Sequence, residues 1–189
     1  RLSIKITTIP KAYANVRKEG DDLTKGQTFL ARGKKLSPTD LAFLATQGIA
    51  EVQVTRKLRV AFFSTGDELR SIGETLREGD IYDSNRYSFY GLLKNLGVEL
   101  IDMGVIPDDR AAIEKAFISA ANVADAVITS GGVSVGEADF VKETLEKVGQ
   151  INFWKISMKP GKPLAFGTID NSLFFGLPGN PAAVIATFY

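Results

Sequence analysis

The segment ITSGGVSVGEADF, residues 128–140, decides how the rest of the chain is organised. It ends an apolar run, breaks at Gly131 and Gly132, and resumes with a helical pattern from Asp139. A strand, a glycine loop and a helix start in this order present backbone N–H groups to an anion. Glycine permits the unusual backbone angles and the close approach that such a loop needs. The alternative is a tight strand-to-helix turn in which Asp139 is only the N-cap.

Composition limits the possible functions. The chain has 189 residues, of which 44% are hydrophobic and 24% charged, as is typical of soluble globular proteins. The formal net charge of +1 argues against a dedicated nucleic-acid surface, and no apolar run is long enough to span a bilayer. Cys and His are both absent. Any metal would therefore be held by oxygen ligands, which favours Mg²⁺.

Two regions of different character divide the sequence. Residues 1–56 predict part of a β-rich domain, with strands at 1–9, 28–31 and 50–55 and one helix that begins at Ser37-Pro38. Residues 57–189 predict an α/β domain. The chain stops inside an apolar segment that follows a helix start at Pro181, so we expect a C-terminally truncated piece of a longer protein.

Strands alternate with helices throughout the second region. The pattern predicts a mostly parallel sheet with helices on both faces, in which ligands bind at the carboxyl ends of the strands. The predicted strands are residues 58–64, 98–103, 125–130, 151–156, 164–166 and 172–175, and helices are expected from about Asn85, after residues 107–109, from about Phe140 and from Pro181.

Polar side chains collect in the loops after these strands. Lys159 and Lys162 bracket a proline-stiffened turn and, with Lys155, suggest a clamp for phosphate or another oxyanion, unless the turn is simply solvated. Glu68, Asp108 and Asp139 come from three loops and suggest ligands for Mg²⁺, although helix capping is an alternative for the acids at 108–109. Asn180 has the position of an N-cap, and residues 82–85 either line a pocket or start a helix.

Five motifs taken together are more specific. They are STGDEL (64–69), YDSN (82–85), residues 129–140, KPGKP (159–163) and LPGNP (177–181). In this order they resemble the molybdopterin molybdenumtransferase family, which includes bacterial MoeA and the E domain of gephyrin. The resemblance covers most of residues 57–189 and implies a three-layer α/β/α, MogA-like molybdopterin-binding domain.

The resemblance also implies a reaction. Adenylylated molybdopterin and molybdate yield molybdenum cofactor and AMP, assisted by Mg²⁺. By position, the important acids of the family match Glu68, Asp108 and Asp139, which we expect to bind the metal, and its important lysines match Lys155 and Lys159. Contacts to the pterin substrate are expected from Ser130, Gly131, Gly132, Ser134, Lys162, Pro178, Asn180 and Pro181.

The same resemblance implies a cytoplasmic homodimer in the full-length parent, with a MogA-type enzyme as a possible partner. The family's N-terminal dimer-forming region and C-terminal β domain are not part of this sequence. Two alternatives remain open. One is a molybdopterin adenylyltransferase of the MogA type, against which residues 1–55 count. The other is a non-catalytic scaffold of the gephyrin kind.

Overall fold

The computed structural model describes residues 2–132 and 138–189, without the side chains of residues 138, 139, 153 and 154. The chain forms two compact units, Arg1–Val54 and Thr55–Tyr189. No helix among the described residues has the length and apolar character needed to cross a membrane.

The described residues of the first unit contain one helix, α1 (Pro38–Thr46). Its predicted start is confirmed. The Ser37 hydroxyl accepts a hydrogen bond from the Asp40 N–H, and the Asp40 carboxylate accepts one from the Ser37 N–H. The Lys34 ammonium, followed by these Ser37 bonds, lowers the pKa of Asp40 to about 2. The capping box therefore fixes this helix end with a charged side chain that is otherwise buried.

The strands predicted at residues 1–9, 28–31 and 50–55 are wrong, because the described residues 2–58 contain no strand. Leu2, Ile4 and Ile6 alternate with polar residues as expected, yet all three side chains are exposed. Alternation produces a strand only where a second strand supplies hydrogen bonds and a core covers the apolar face. The assignment of residues 1–56 to a β-rich domain therefore has no strand to support it here.

The second unit alternates strands and helices. In chain order its elements are β1 (Arg59–Thr65), β2 (Leu69–Arg70), β3 (Ile81–Tyr82), α2 (Ser84–Asn95), β4 (Glu99–Ile106), α3 (Arg110–Val123), β5 (Ala126–Ser130), α4 (Ala138–Val148), β6 (Gly149–Lys155), β7 (Pro163–Ile169), β8 (Ser172–Leu177) and α5 (Pro181–Phe188). The six predicted strands are β1, β4, β5, β6, β7 and β8, and the four predicted helices are α2 to α5. The short pair β2 and β3, inside the loop after β1, was not predicted.

Six strands form one mostly parallel sheet in the order β4-β1-β5-β8-β7-β6, as predicted. The first four are mutually parallel, β7 runs antiparallel to β8, and β6 runs antiparallel to β7. Strand β6 therefore points in the same direction as β8. The carboxyl ends of β1, β4, β5, β6 and β8 all lie at one edge of the sheet.

Helices cover both faces, so the domain has three layers. Alternate residues of β1 face opposite sides. Ala61 and Phe63 pack with α3 and α4, whereas Val60 and Phe62 pack with α2 and α5. Burial of both faces explains why this strand is a nearly continuous apolar run. Each fully buried phenylalanine contributes about 1.5–3 kcal/mol, so the two cores fix the sheet from which the edge loops project.

Polar caps start the helices that follow the edge loops. Asp83 accepts a hydrogen bond from Arg86 N–H at the start of α2, and Asp109 accepts one from Ala112 N–H at the start of α3. Asp109, not Asp108, is thus the cap of α3. The carboxylate of Asp108 is not needed to begin that helix, which removes the capping interpretation for this residue.

Candidate functional site

Five loops meet along the carboxyl edge of the sheet. They follow β1, β4, β5, β6 and β8, and they carry the acids, glycines and lysines that the sequence analysis selected. Contacts link neighbouring loops in series, as the next paragraphs describe. The edge is consequently one continuous polar surface.

The glycine loop begins directly after β5. Gly131 and Gly132 have φ of +90° and +65°, in the left-handed region that favours glycine, which confirms the predicted backbone. A Cβ on Gly131 would lie 2.5 Å from the Thr65 carbonyl oxygen, and one on Gly132 would lie 2.9 Å from Thr65 Oγ1. The loop therefore rests on the end of β1. Ser134 lies outside the described residues.

Buried oxygen atoms without a hydrogen-bond partner concentrate at this edge. Among the described residues they are Ser64 Oγ, Thr65 Oγ1, Asp83 Oδ2, Asn85 Oδ1 and Thr129 Oγ1. All belong to the ends of β1 and β5 or to the start of α2. Buried polar groups are normally paired, because an unpaired one costs about 1–3 kcal/mol. Their grouping at one edge marks this place as the candidate binding site.

The loop after β8 lies against the glycine loop. Gly131 N–H donates to the Leu177 carbonyl oxygen at 3.2 Å. Pro178 is buried, whereas Asn180 and Pro181 are exposed. Asn180 Oδ1 accepts hydrogen bonds from Ala182 N–H and Ala183 N–H, which confirms its position as the N-cap of α5. Its side-chain oxygen is thus already used within the helix.

Acidic residues occupy the loops after β1 and β4. Asp67 Oδ1 accepts a hydrogen bond from the Asp108 N–H at 3.1 Å, which joins these two loops. The Glu68 carboxylate folds back over Gly66, 2.8 Å from the position a Cβ would take there. In residues 2–132 and 138–189 no group of three or more acids is close enough together to hold a metal. The side chain of Asp139 is outside the described residues, so the three-acid metal site stays a prediction.

The lysine loop, residues 156–162, connects β6 to β7. Ile156 N–H donates to the Lys162 carbonyl oxygen at 3.0 Å, and the Lys159–Pro160 bond is cis. Lys155, Lys159 and Lys162 are all exposed, so their ammonium groups are accessible to an anion. A Cβ on Gly161 would lie 2.5 Å from Thr187 on α5, which seats the loop on the helix that follows Asn180.

Comparison with known proteins identifies the domain. Residues 61–189 match the family described as "Probable molybdopterin binding domain". The chain belongs to this molybdopterin-binding family. Its fold and its recognised motifs agree with the predicted resemblance.

Relatives extend this similarity over both units. A molybdopterin molybdenumtransferase from Haemophilus influenzae is 54% identical over 99% of this chain and 46% of the relative. One from a Nostoc species is 40% identical over 97% of this chain and 43% of the relative. The chain spans about half the length of the curated relatives it matches.

A solved structure supports the same assignment. The crystal structure of a molybdopterin biosynthesis moea protein from Pyrococcus horikosii superimposes with a TM-score of 0.80 at 37% identity. The match covers 91% of this chain and 43% of that chain. The molybdopterin-binding fold therefore includes the sheet edge described above.

The molybdopterin-binding domain also has a cleft that the sequence did not predict. It has a volume of about 500 Å³ and lies beside the loop after β1, where Asp67, Arg70, Ser71, Glu74 and Arg77 line it. Arg70 forms an ion pair with Asp80 at 2.9 Å. The only sequence signal was the high density of charged residues in this loop, which has no fixed spacing.

Arg86 links this loop to the domain. Its Nε lies 2.7 Å from Asp102 Oδ2, and its Nη1 donates to Ser71 Oγ at 3.0 Å. The hydrogen bond to Asp102 raises the pKa of Arg86 above its ordinary value, so the guanidinium remains charged. Three segments, α2, β4 and the loop after β2, are thereby held together next to the cleft.

Proposed function

We propose that this chain is the molybdopterin-binding core of a molybdopterin molybdenumtransferase. In this reaction adenylylated molybdopterin and molybdate give molybdenum cofactor and AMP. The observation that supports it best is the set of unpaired buried oxygens and left-handed glycines at one sheet edge. Both close curated relatives reported above carry the name of this enzyme.

The lysines are proposed to hold the anionic groups. Lys155 ends β6, and Lys159 and Lys162 lie in the loop that follows, so their charges converge on the carboxyl edge. Molybdate and the two phosphates of the substrate are oxyanions, and ammonium groups donate strong charge-assisted hydrogen bonds to them. The backbone N–H groups of Gly132 and the following loop, with Ser130 and Ser134, complete the proposed anion site.

The acids are proposed to hold Mg²⁺. Glu68 and Asp108 follow neighbouring parallel strands, and the Asp67 bond keeps their two loops adjacent. Carboxylates without histidine or cysteine are the donor set that suits Mg²⁺. With Asp139, they would bind the ion close to the phosphates. When bound, Mg²⁺ neutralises the charge that develops as the bond between the pterin phosphate and AMP breaks.

The remaining residues shape the pocket. Pro178, Asn180 and Pro181 form the rigid loop that enters α5, and we propose that this loop contacts the pterin substrate. Homodimer formation, a cytoplasmic location and a MogA-type partner are proposed for the full-length parent on the resemblance alone. Sedimentation of the purified parent tests the dimer directly, because a monomer would contradict it.

The test of the reaction uses the full-length parent with adenylylated molybdopterin as substrate. AMP release that requires both molybdate and Mg²⁺ is the expected result. Formation of adenylylated molybdopterin from ATP and molybdopterin would instead identify an adenylyltransferase. Tight binding of molybdopterin with no turnover would identify a binding scaffold.

The metal proposal has its own test in Asp139→Asn. Asparagine caps helices about as well as aspartate, so thermal stability should stay nearly unchanged while a ligand charge is lost. The Mg²⁺ concentration needed for half-maximal AMP release should therefore rise. Reduced stability with an unaltered Mg²⁺ requirement would assign Asp139 to capping alone.

A further inference from the structure

Asn85 lies in the first turn of α2, and its buried amide reaches two edge loops. The side-chain Nδ2 donates to Ser130 Oγ and to the Gly179 carbonyl oxygen, each at 2.8 Å. Asn85 is only 7% exposed. Burying an amide is unfavourable unless it is hydrogen-bonded, so the residue needs both of these contacts.

Helix initiation does not explain this asparagine. Asp83 is the N-cap of α2, and its Oδ1 accepts the Arg86 N–H at 3.1 Å. The Asn85 side chain makes no capping bond; it points to residues 45 and 94 positions later in the sequence. Its role must therefore be sought in the loops it contacts.

Those loops are the two that carry the glycines and the Pro178 turn. Ser130 precedes Gly131, and Gly179 lies directly before Asn180, while Gly131 N–H bonds to Leu177. A primary amide supplies two donors to two separate acceptors from one rigid group. Neither a carboxylate nor a hydroxyl of similar size can do this. The chemistry of the contact thus specifies asparagine.

We propose that Asn85 is a positioning residue of the molybdopterin site, which holds the glycine loop and the Pro178–Asn180 turn at the spacing the substrate needs. This inference rests on the proposed function. Asn85 acts through the loops and contacts no reacting atom. Its unpaired Oδ1 belongs to the same set of buried oxygens that marks the edge.

The experiment compares variants of the full-length parent. Asn85→Leu keeps the approximate volume and removes both bonds, and Asn85→Asp keeps the shape but cannot donate. Asn95→Leu is the matched control, because Asn95 is exposed in the last turn of the same helix. The readouts are KM and kcat for adenylylated molybdopterin, and hydrogen exchange of the backbone amides.

The Asn85 variants should raise KM about tenfold or more, since each lost hydrogen bond is worth roughly 1 kcal/mol, and should change kcat less. The amides of Gly131 and Gly179 should exchange faster while those of β1 stay protected. Ser130→Ala, a milder change, should give part of the effect. Because it breaks a bond that Asn85→Leu already removes, the double variant should be no worse than Asn85→Leu.

Unchanged KM and unchanged loop exchange in both Asn85 variants would overturn the proposal. So would a uniform loss of protection that includes β1, because it would indicate general destabilisation. If the wild-type parent shows no turnover, the proposed function fails. The exchange comparison still decides whether Asn85 holds the loops.

Discussion

Gly131 passes so close to Thr65 that a Cβ on the glycine would lie 2.5 Å from the Thr65 carbonyl oxygen. Real Cβ atoms do not approach backbone oxygen this closely. Two neighbouring parallel strands thus end in loops that touch through their backbones. The glycines are needed for the close approach as much as for their positive φ.

Gly132→Val should destabilise the domain by about 2–4 kcal/mol and abolish molybdopterin binding. A β-branched residue is strained at φ +65°, and its Cβ would lie 2.5 Å from a Val141 methyl group. Urea unfolding and calorimetric binding measure the two effects. Gly91→Ala is the control, because Gly91 is helical and has open space; it should stabilise by about 0.5–1 kcal/mol. Wild-type binding by Gly132→Val would contradict the prediction.

Lys159→Ala should weaken binding of molybdate or of the substrate phosphates about tenfold or more, since it removes a charge-assisted hydrogen bond. Lys159 is exposed, so the free energy of unfolding should change by less than about 0.5 kcal/mol. Titration calorimetry reports the affinity. Lys115→Ala, at an exposed position on α3, should leave affinity unaltered. Equal affinities in wild type and Lys159→Ala would remove this lysine from the site.

Asp67→Ala should loosen the loop that carries Asp108. The lost bond runs from Asp108 N–H to Asp67 Oδ1, and an exposed hydrogen bond of this kind is worth about 0.5–1 kcal/mol. Hydrogen exchange at Asp108 should accelerate. Asp67→Asn keeps an oxygen acceptor and should preserve protection. Identical exchange in the alanine variant and wild type would show that the bond does not order the loop.

Asp125→Asn should lower stability near neutral pH but not in acid. The Arg56 guanidinium, followed by the Arg59 N–H, holds the pKa of Asp125 well below its ordinary value of 3.8. Because the folded pKa is the lower one, the contribution is complete above about pH 4 and is lost as pH falls towards the folded pKa. Urea midpoints measured from about pH 7 to pH 2 should therefore converge.

Glu99→Gln is the control for that comparison, since Glu99 is exposed and lies 3.6 Å from Arg59. Its stability difference from wild type should be small at every pH. A difference for Asp125→Asn that persists undiminished in acid would assign the effect to packing and not to charge.

Local signals in the sequence predicted much of the second unit. Ser37, Asp109 and Asn180 are polar caps whose partners lie two or three residues away, so their roles are readable from spacing. The order of the strands also predicted a shared carboxyl edge. The role of Asn85 could not be read in this way, because its partners lie 45 and 94 residues further along the chain.

Other features depend on partners that no local pattern specifies. The alternating residues 2–6 predicted a strand, but a strand exists only when another pairs with it. The pair β2 and β3 has two residues in each strand, too few for any periodicity. Arg70 and Arg77 became part of a cleft only through the folding of an irregular loop.

The reversed direction of β7 has a practical consequence. Because β7 and β8 are antiparallel neighbours, the turn at Asp170 and Asn171 lies at the opposite end of the strands from every candidate binding loop. Both turn residues are exposed. A fluorophore or a surface tether attached there would leave the binding edge open to solution, so this turn is the natural point for immobilising the protein in single-molecule binding measurements.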